Sequence, residues 1–270
     1  MASHFSAEYW SADNQLRETQ GFNWGGLHPE DLVTRLDKVG LPVRKDGTKL
    51  RMMIAGAGTS SEPAYLRDHI PGLNIWCVDF DEYAVNFQKS KGMQAFQLDL
   101  VDDFKEDQRH KFDVVYDASF LDVFMSTWGT KDIVQFDNPQ LRKALRNLKD
   151  YLRPGGLFVV KSIIATVDDF DLLWQVCFEG FSAKKAIAMA KRASNGSALL
   201  AGEGTYRLHL EQPMEVDEVV RLTRARGGGQ PYITRGGRRT MKPSDIGFLG
   251  HVGFWRCKGD DVDSFYTNTD

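Results

Sequence analysis

Four short apolar runs in succession, each closed by glycine or aspartate and each followed by a different local pattern, constrain this chain more than any other feature. Leu50–Ala55 ends at Gly56-Ala57-Gly58, Asn74–Val78 ends in Asp79-Phe80-Asp81, Ala95–Leu98 leads to Asp99, and Phe112–Tyr116 ends at Asp117. Apolar runs that alternate with helical patterns are the mark of βαβ units, and such units build a parallel sheet. A helix is predicted to start after Ser60 or Ser61, with Glu62 and Pro63 suited to its first turn, and another to run from Asp81 to about Lys89. Asn138 caps a further helix, Pro139 opens it, and Leu141, Leu145, Leu148 and Leu152 share one face. Pro154-Gly155-Gly156 should end that helix and turn the chain into a fifth strand, Leu157–Lys161, with Asp168–Phe178 helical again. Further on, Ala186–Ala190 and Thr205–Leu210 read as an antiparallel pair and Val216–Arg226 as a helix. Gly227–Gly237 reads as a mobile loop and Gly253–Cys257 as a late strand.

These patterns divide the chain into a helical lead-in over 1–48, able to close over a ligand, and an α/β core over 49–212. An extension over 213–270 is expected to pack on that core. Among its 270 residues 42% are hydrophobic and 26% charged, which excludes wholesale disorder. No apolar run approaches the roughly 20 residues that cross a bilayer, so no membrane partner is expected. The N-terminus is polar and aromatic, without the basic flank and apolar stretch of a secretory signal. Cys77, Cys177 and Cys257 form no CxxC pair and the six histidines are scattered, so neither a disulfide framework nor a metal site is expected. A reducing, cytoplasmic setting fits, and a nuclear one is compatible. The net charge of −3 is uneven: residues 183–242 carry twelve Lys/Arg against five Asp/Glu, a local +7 that leaves −10 elsewhere. The stretch Arg221–Lys242, interleaved with Tyr232, is a candidate contact for RNA or an acidic partner.

The chemistry-bearing residues fall at the strand ends. Glycines at 56 and 58 let backbone approach a ligand closely and adopt positive φ, while the next helix offers free N–H groups. A dinucleotide site would ask for GxGxxG, but here Ser61 stands at the third glycine's place. The run Thr59-Ser60-Ser61-Glu62 also brings a carboxylate to where a pyrophosphate would sit. S-adenosylmethionine (SAM) carries no phosphate and tolerates that acid, which favours SAM over NAD. Asp79, about twenty residues past the glycines, can accept from both ribose hydroxyls of an adenosine. Asp81 reads instead as a helix cap. Asp99 can take the exocyclic amine of adenine, with Phe80 or Leu100 against the ring, and Asp117 lies where open α/β sheets place their chemistry.

Taken together, Ile54-Ala55-Gly56-Ala57-Gly58-Thr59 resembles the first motif of the class I, seven-β-strand SAM-dependent methyltransferases. Val78-Asp79 resembles their acidic ribose loop, Gln97-Leu98-Asp99 their adenine loop and Phe112–Asp117 their fourth motif. Leu152–Gly156 resembles the turn before their fifth strand. Five motifs stand in order across about half the chain, with Ala55 where many members carry an acid. The resemblance implies a Rossmann-like, doubly wound, mostly parallel seven-stranded sheet with a helical lead-in and a C-terminal extension. It also implies SAM as cofactor, held by Gly56, Ala57, Gly58, Thr59, Asp79, Phe80, Asp99, Leu100 and Asp117.

Two narrower resemblances bear on the methyl acceptor, which can be a macromolecule or a small molecule. Glu8-Tyr9-Trp10, Phe22–Gly25 and Asp117–Asp122 resemble eukaryotic elongation-factor lysine methyltransferases, and Tyr9, Trp10 and Trp24 could close over the cofactor. Lys161 at the end of strand five, with Asp117 and Glu203, resembles part of the Lys-Asp-Lys-Glu set of RNA 2′-O-methyltransferases. There a buried Lys161 with a lowered pKa would serve as the base for a ribose hydroxyl, and Asp117 would orient the acceptor. Protein lysine is slightly favoured, and a SAM-binding protein without turnover is the third alternative.

Overall fold

The structure is a computed structural model, and it describes residues 10–12, 14–15, 29–125, 136–162, 167–178, 182–186, 207–210 and 251–256. Among the described residues, seven strands form one sheet: β1 (Leu50–Ala55), β2 (Leu73–Asp79), β3 (Gln94–Gln97), β4 (Phe112–Ala118), β5 (Leu152–Ser162), β6 (Arg207–Leu210) and β7 (His251–Arg256). Their spatial order is β3-β2-β1-β4-β5-β7-β6. The first five run parallel, and β7 lies antiparallel to both β5 and β6. The chain runs outward from β1 to β3 and then returns to β4, so the β1/β4 boundary is the topological switch where open sheets leave a crevice.

Among the described residues the sheet is accompanied by helices α1 (Pro29–Val39), α2 (Glu62–His69), α3 (Glu82–Ser90), the single turn α4 (Asp122–Met125), α5 (Pro139–Tyr151) and α6 (Val167–Phe178). Strand side chains alternate between faces, and two cores result. Met52, Ile54, Val114, Tyr116 and Val159 pack with α1 and α2 residues such as Leu32, Leu36 and Leu66. Met53, Val115, Phe158 and Val160 pack on the other face with Leu141, Leu145 and Leu148 of α5 and Leu173 of α6. Asn138 caps α5 through its side-chain oxygen, which accepts from the amides of Gln140 and Leu141.

At the N-terminal edge of the sheet a fully buried Asp113 gathers cations. Its carboxylate accepts from Arg44 Nε at 2.9 and 3.1 Å and from the Arg51 amide at 2.7 Å, and Arg153 Nε lies 2.6 Å away. Arg51 then lays its guanidinium over Trp76 and Phe112, 4.7 and 4.9 Å from the ring centres.

Three expectations need correction. β5 starts at Leu152, directly after α5, so Pro154-Gly155-Gly156 lies inside the strand and the ladder to β4 absorbs it as a register shift between Phe112 and Val114. The stretch 207–210 pairs with β7 and residues 183–186 are helical, so Ala186 starts no strand, while 187–190 lie outside the described residues. β7, taken from the expected extension, sits between β5 and β6, so the core runs past residue 213. Periodicity within a run cannot reveal such a non-local partner. Val216–Arg226 and Gly227–Gly237 lie outside the described residues. Among the described residues no helix is long and apolar enough to cross a membrane, and no group of His, Cys, Asp and Glu could hold a metal ion.

Candidate cofactor site

A cavity opens at the C-terminal edge of the sheet, over the β1/β4 switch. The turn after β1 forms one wall. Gly56 has φ +64° and its amide donates to Val78 O at 2.9 Å, folding the chain back over β2. A Cβ at Gly56 would come 2.7 Å from Phe120 Cβ, so the wall is only as wide as glycine permits. Gly58, at φ +51°, donates its amide to Asp79 Oδ2 at 2.9 Å.

Asp79 ends β2, and its other oxygen accepts from the Asp81 amide at 3.0 Å. Burial raises its carboxyl to about 6, against the pull of those amides. Asp81 is the cap of α3, accepting from the Tyr83 amide at 3.2 Å and from Asn14 Nδ2 at 2.7 Å. Past β3, Asp99 both shapes a turn and faces the cavity: its Oδ1 accepts from the amides of Val101 (2.8 Å) and Asp102 (3.3 Å). Phe80, Leu98 and Leu100 add apolar wall beside it. Ser119, Phe120, Val123 and Phe124, which follow β4, line the opposite end, and Trp10 and Asn14 approach from the lead-in.

The structure thus brings Gly56, Gly58, Asp79, Phe80, Asp99 and Leu100 to one cavity. Carboxylates for the ribose, an apolar slot for adenine and a glycine wall that a Cβ would block fit the adenosyl group of SAM. Ala57 and Thr59 are buried without lining the cavity, and the Thr59 hydroxyl donates to Asn14 O at 3.2 Å.

Asp117 and Lys161 do not line the cavity, and they point to opposite faces of the sheet. Asp117 is fully buried; Oδ1 accepts from the Leu121 amide at 3.1 Å, while Oδ2 has no hydrogen-bond partner. Burial, and after it the neighbouring Asp122, push its carboxyl well above the usual carboxylate range. Asp122 itself accepts from the Ser162 hydroxyl. Lys161, 1% exposed, is held by Glu62: Nζ lies 2.8 and 3.0 Å from the two carboxylate oxygens. The Tyr116 hydroxyl donates to the same carboxylate at 3.0 Å, and burial with Glu62 beside it raises that phenol well above 10.

Two readings change in consequence. Lys161 is an ion-pair partner behind the site and is not positioned as a base for an acceptor hydroxyl. Glu62 has its charge met by Lys161, so its supposed repulsion of a pyrophosphate no longer separates SAM from NAD. Glu203, Tyr9, Trp24 and the basic stretch Arg221–Lys242 lie outside the described residues. Sequence reasoning missed Asn14, which has no signature in a polar lead-in, and Gln88, whose signal was a carboxamide on the apolar face of α3 beside Ala84 and Val85.

Residues 53–158 match the family of methyltransferase domains. No curated protein matches the chain. Among solved structures, a chain of the Haloferax volcanii complex between the Trm112 methyltransferase activator and a methyltransferase is 12% identical, covering 96% of this chain and 98% of that one at a TM-score of 0.52. The N-methyltransferase NodS of Bradyrhizobium japonicum, solved with S-adenosyl-L-homocysteine, is 14% identical over 85% of this chain and 87% of its own, with a TM-score of 0.42. A structure from echinomycin biosynthesis is 20% identical at a TM-score of 0.35, and this chain spans about half its length, 49%, with 48% of its own. Residues 53–158 are a class I, SAM-dependent methyltransferase domain with a Rossmann-like fold, and SAM is its cofactor.

Proposed function

We propose that the whole chain transfers a methyl group from SAM to an amine nitrogen of a protein, in the first instance a lysine side chain. The observation that carries the acceptor class is the cavity's charge: its described wall holds Asp79 and Asp99 with Trp10, Phe120 and Phe124, and no Lys or Arg, while a third wall carboxylate, Asp102, is paired with Lys143 at 2.7 Å. An acidic, aromatic wall attracts a cationic side chain and repels the phosphates of a nucleic acid.

SAM, when bound, supplies an electrophilic methyl group on a sulfonium. The chain's own residues bind and orient. Asp79 accepts from the ribose hydroxyls, Asp99 and the Leu100 segment receive adenine, and the Gly56–Gly58 backbone leaves room for the rest of the cofactor. Phe120, Val123 and Phe124 exclude water at the far end, which helps an ammonium group shed its proton and presents the free amine for in-line attack. With Lys161 engaged by Glu62, no described lysine stands ready to take a proton from a ribose hydroxyl.

Tritiated-methyl transfer from SAM into total protein, total RNA and metabolite extracts, with Asp79→Ala as control, tests this reading. Label in protein that Asp79→Ala abolishes is the expected result. Label confined to RNA or to small molecules overturns the acceptor, and absence of any SAM binding overturns the proposal altogether.

A further inference from the structure

Gln88 is a polar side chain in the wrong place for a surface amide. It lies on the buried face of α3 with Ala84 and Val85, 1% exposed, where a leucine would pack without leaving any polar atom to satisfy. Its Nε2 donates to two carbonyls of the glycine turn, Gly58 O and Ser60 O, both at 2.9 Å. A primary amide is the neutral group that can serve two acceptors from one nitrogen.

One of the two bonds reaches Gly58, one of the turn's two glycines at positive φ. Gly58 sits at φ +51°, and its two flanking peptide planes are fixed from outside the turn. One plane is held by its amide, which donates to Asp79 Oδ2 at 2.9 Å, and the other by its carbonyl, which accepts from Gln88. Asp79 is also the carboxylate at the cavity, so a rotation at Gly58 moves the cavity wall and a ribose-binding oxygen together. We infer that Gln88 is a positioning residue for the cofactor, acting through Gly58 and Asp79 without touching the ligand. The inference rests on the SAM-binding reading given above.

Isothermal calorimetry with SAM and with S-adenosylhomocysteine on the full chain tests it, alongside thermal unfolding of the unliganded protein. Gln88→Met keeps the volume and removes both donors. Its dissociation constants for both ligands should rise by about tenfold, the scale of losing buried hydrogen bonds. Gln88→Glu keeps the shape but at pH 8 turns carboxylate oxygens toward the two carbonyls, and on acidification regains one donor. The ratio of its SAM dissociation constant to that of the unsubstituted protein should therefore narrow between pH 8 and pH 5.5. Dividing by the unsubstituted protein at each pH removes the titration of Asp79. A packing role alone predicts a ratio that does not move with pH, and that result overturns the inference, as does SAM affinity within twofold of the unsubstituted protein for both substitutions. If Gln88→Met fails to fold, the Gln88→Glu ratio alone decides. Failure of the unsubstituted protein to bind either ligand would fall on the SAM reading itself.

Discussion

Asp113 and Asp117 lie near opposite ends of the same strand, both fully buried, and their surroundings could hardly differ more. Asp113 meets two guanidinium groups and a backbone amide, whereas Asp117 meets one amide and a second acid, with one oxygen left unbonded. The first joins the strand to the chain on either side of it. The second is a carboxyl beside the functional edge whose surroundings compensate its charge poorly, so its proton is held more tightly than usual. Buried carboxylates in one strand thus do different work according to the donors around them, and burial alone says nothing about catalysis.

Removing the carboxylate from the well-compensated end should have the largest effect. Asp113→Ala leaves Arg44 and Arg153 facing each other without their shared acceptor, and denaturant unfolding should show a loss of about 3 kcal/mol or more. A loss under 1 kcal/mol would erase the contrast. Next comes the other buried pair: Lys161→Met strands the Glu62 charge and should cost about 3 kcal/mol, much of it regained in Lys161→Met with Glu62→Leu. That double variant should still transfer methyl groups. A folded but inactive double variant would return Lys161 to the catalytic machinery.

A smaller effect separates the cofactor carboxylate from both. With its carboxyl raised to about 6, Asp79 is ionised at pH 7.5 and mostly protonated at pH 5. SAM affinity should therefore fall about tenfold from pH 7.5 to pH 5, and Asp79→Asn should flatten the profile. The least effect is expected at Asp117. Its folded-state value lies above the usual 3.8, so the native state holds the extra proton and stability drains away as pH rises from 3.8 toward that higher value. Asp117→Asn, which mimics the neutral form, should change stability at pH 5 by less than about 1 kcal/mol and should lessen the decline toward pH 8.

The parallel half of the sheet was legible because each strand carries its own apolar run and stops at a glycine or an acid. β1 was read to the residue, and the glycines, Asp79, Phe80, Asp99 and Leu100 followed from their places at strand ends. Features that depend on distant partners were not legible. Lys161 at a strand end looks like a base until Glu62, 99 residues away, is found against it. Asp117 at a strand end looks like a ligand until its side chain is seen to turn from the cavity toward Leu121. Gln88 was visible only as a violation of helix amphipathicity, and such violations point to a site without saying which atoms it serves.

The placing of β7 between β5 and β6 carries a consequence for the order of assembly. On a ribosome, β1 to β5 and the glycine turn emerge and can pair with near neighbours, while β6 must wait, because the strand that receives it is made some forty residues later. The nucleoside-binding half can therefore take shape during synthesis, and the far edge is zipped up only after residue 256 has left the tunnel.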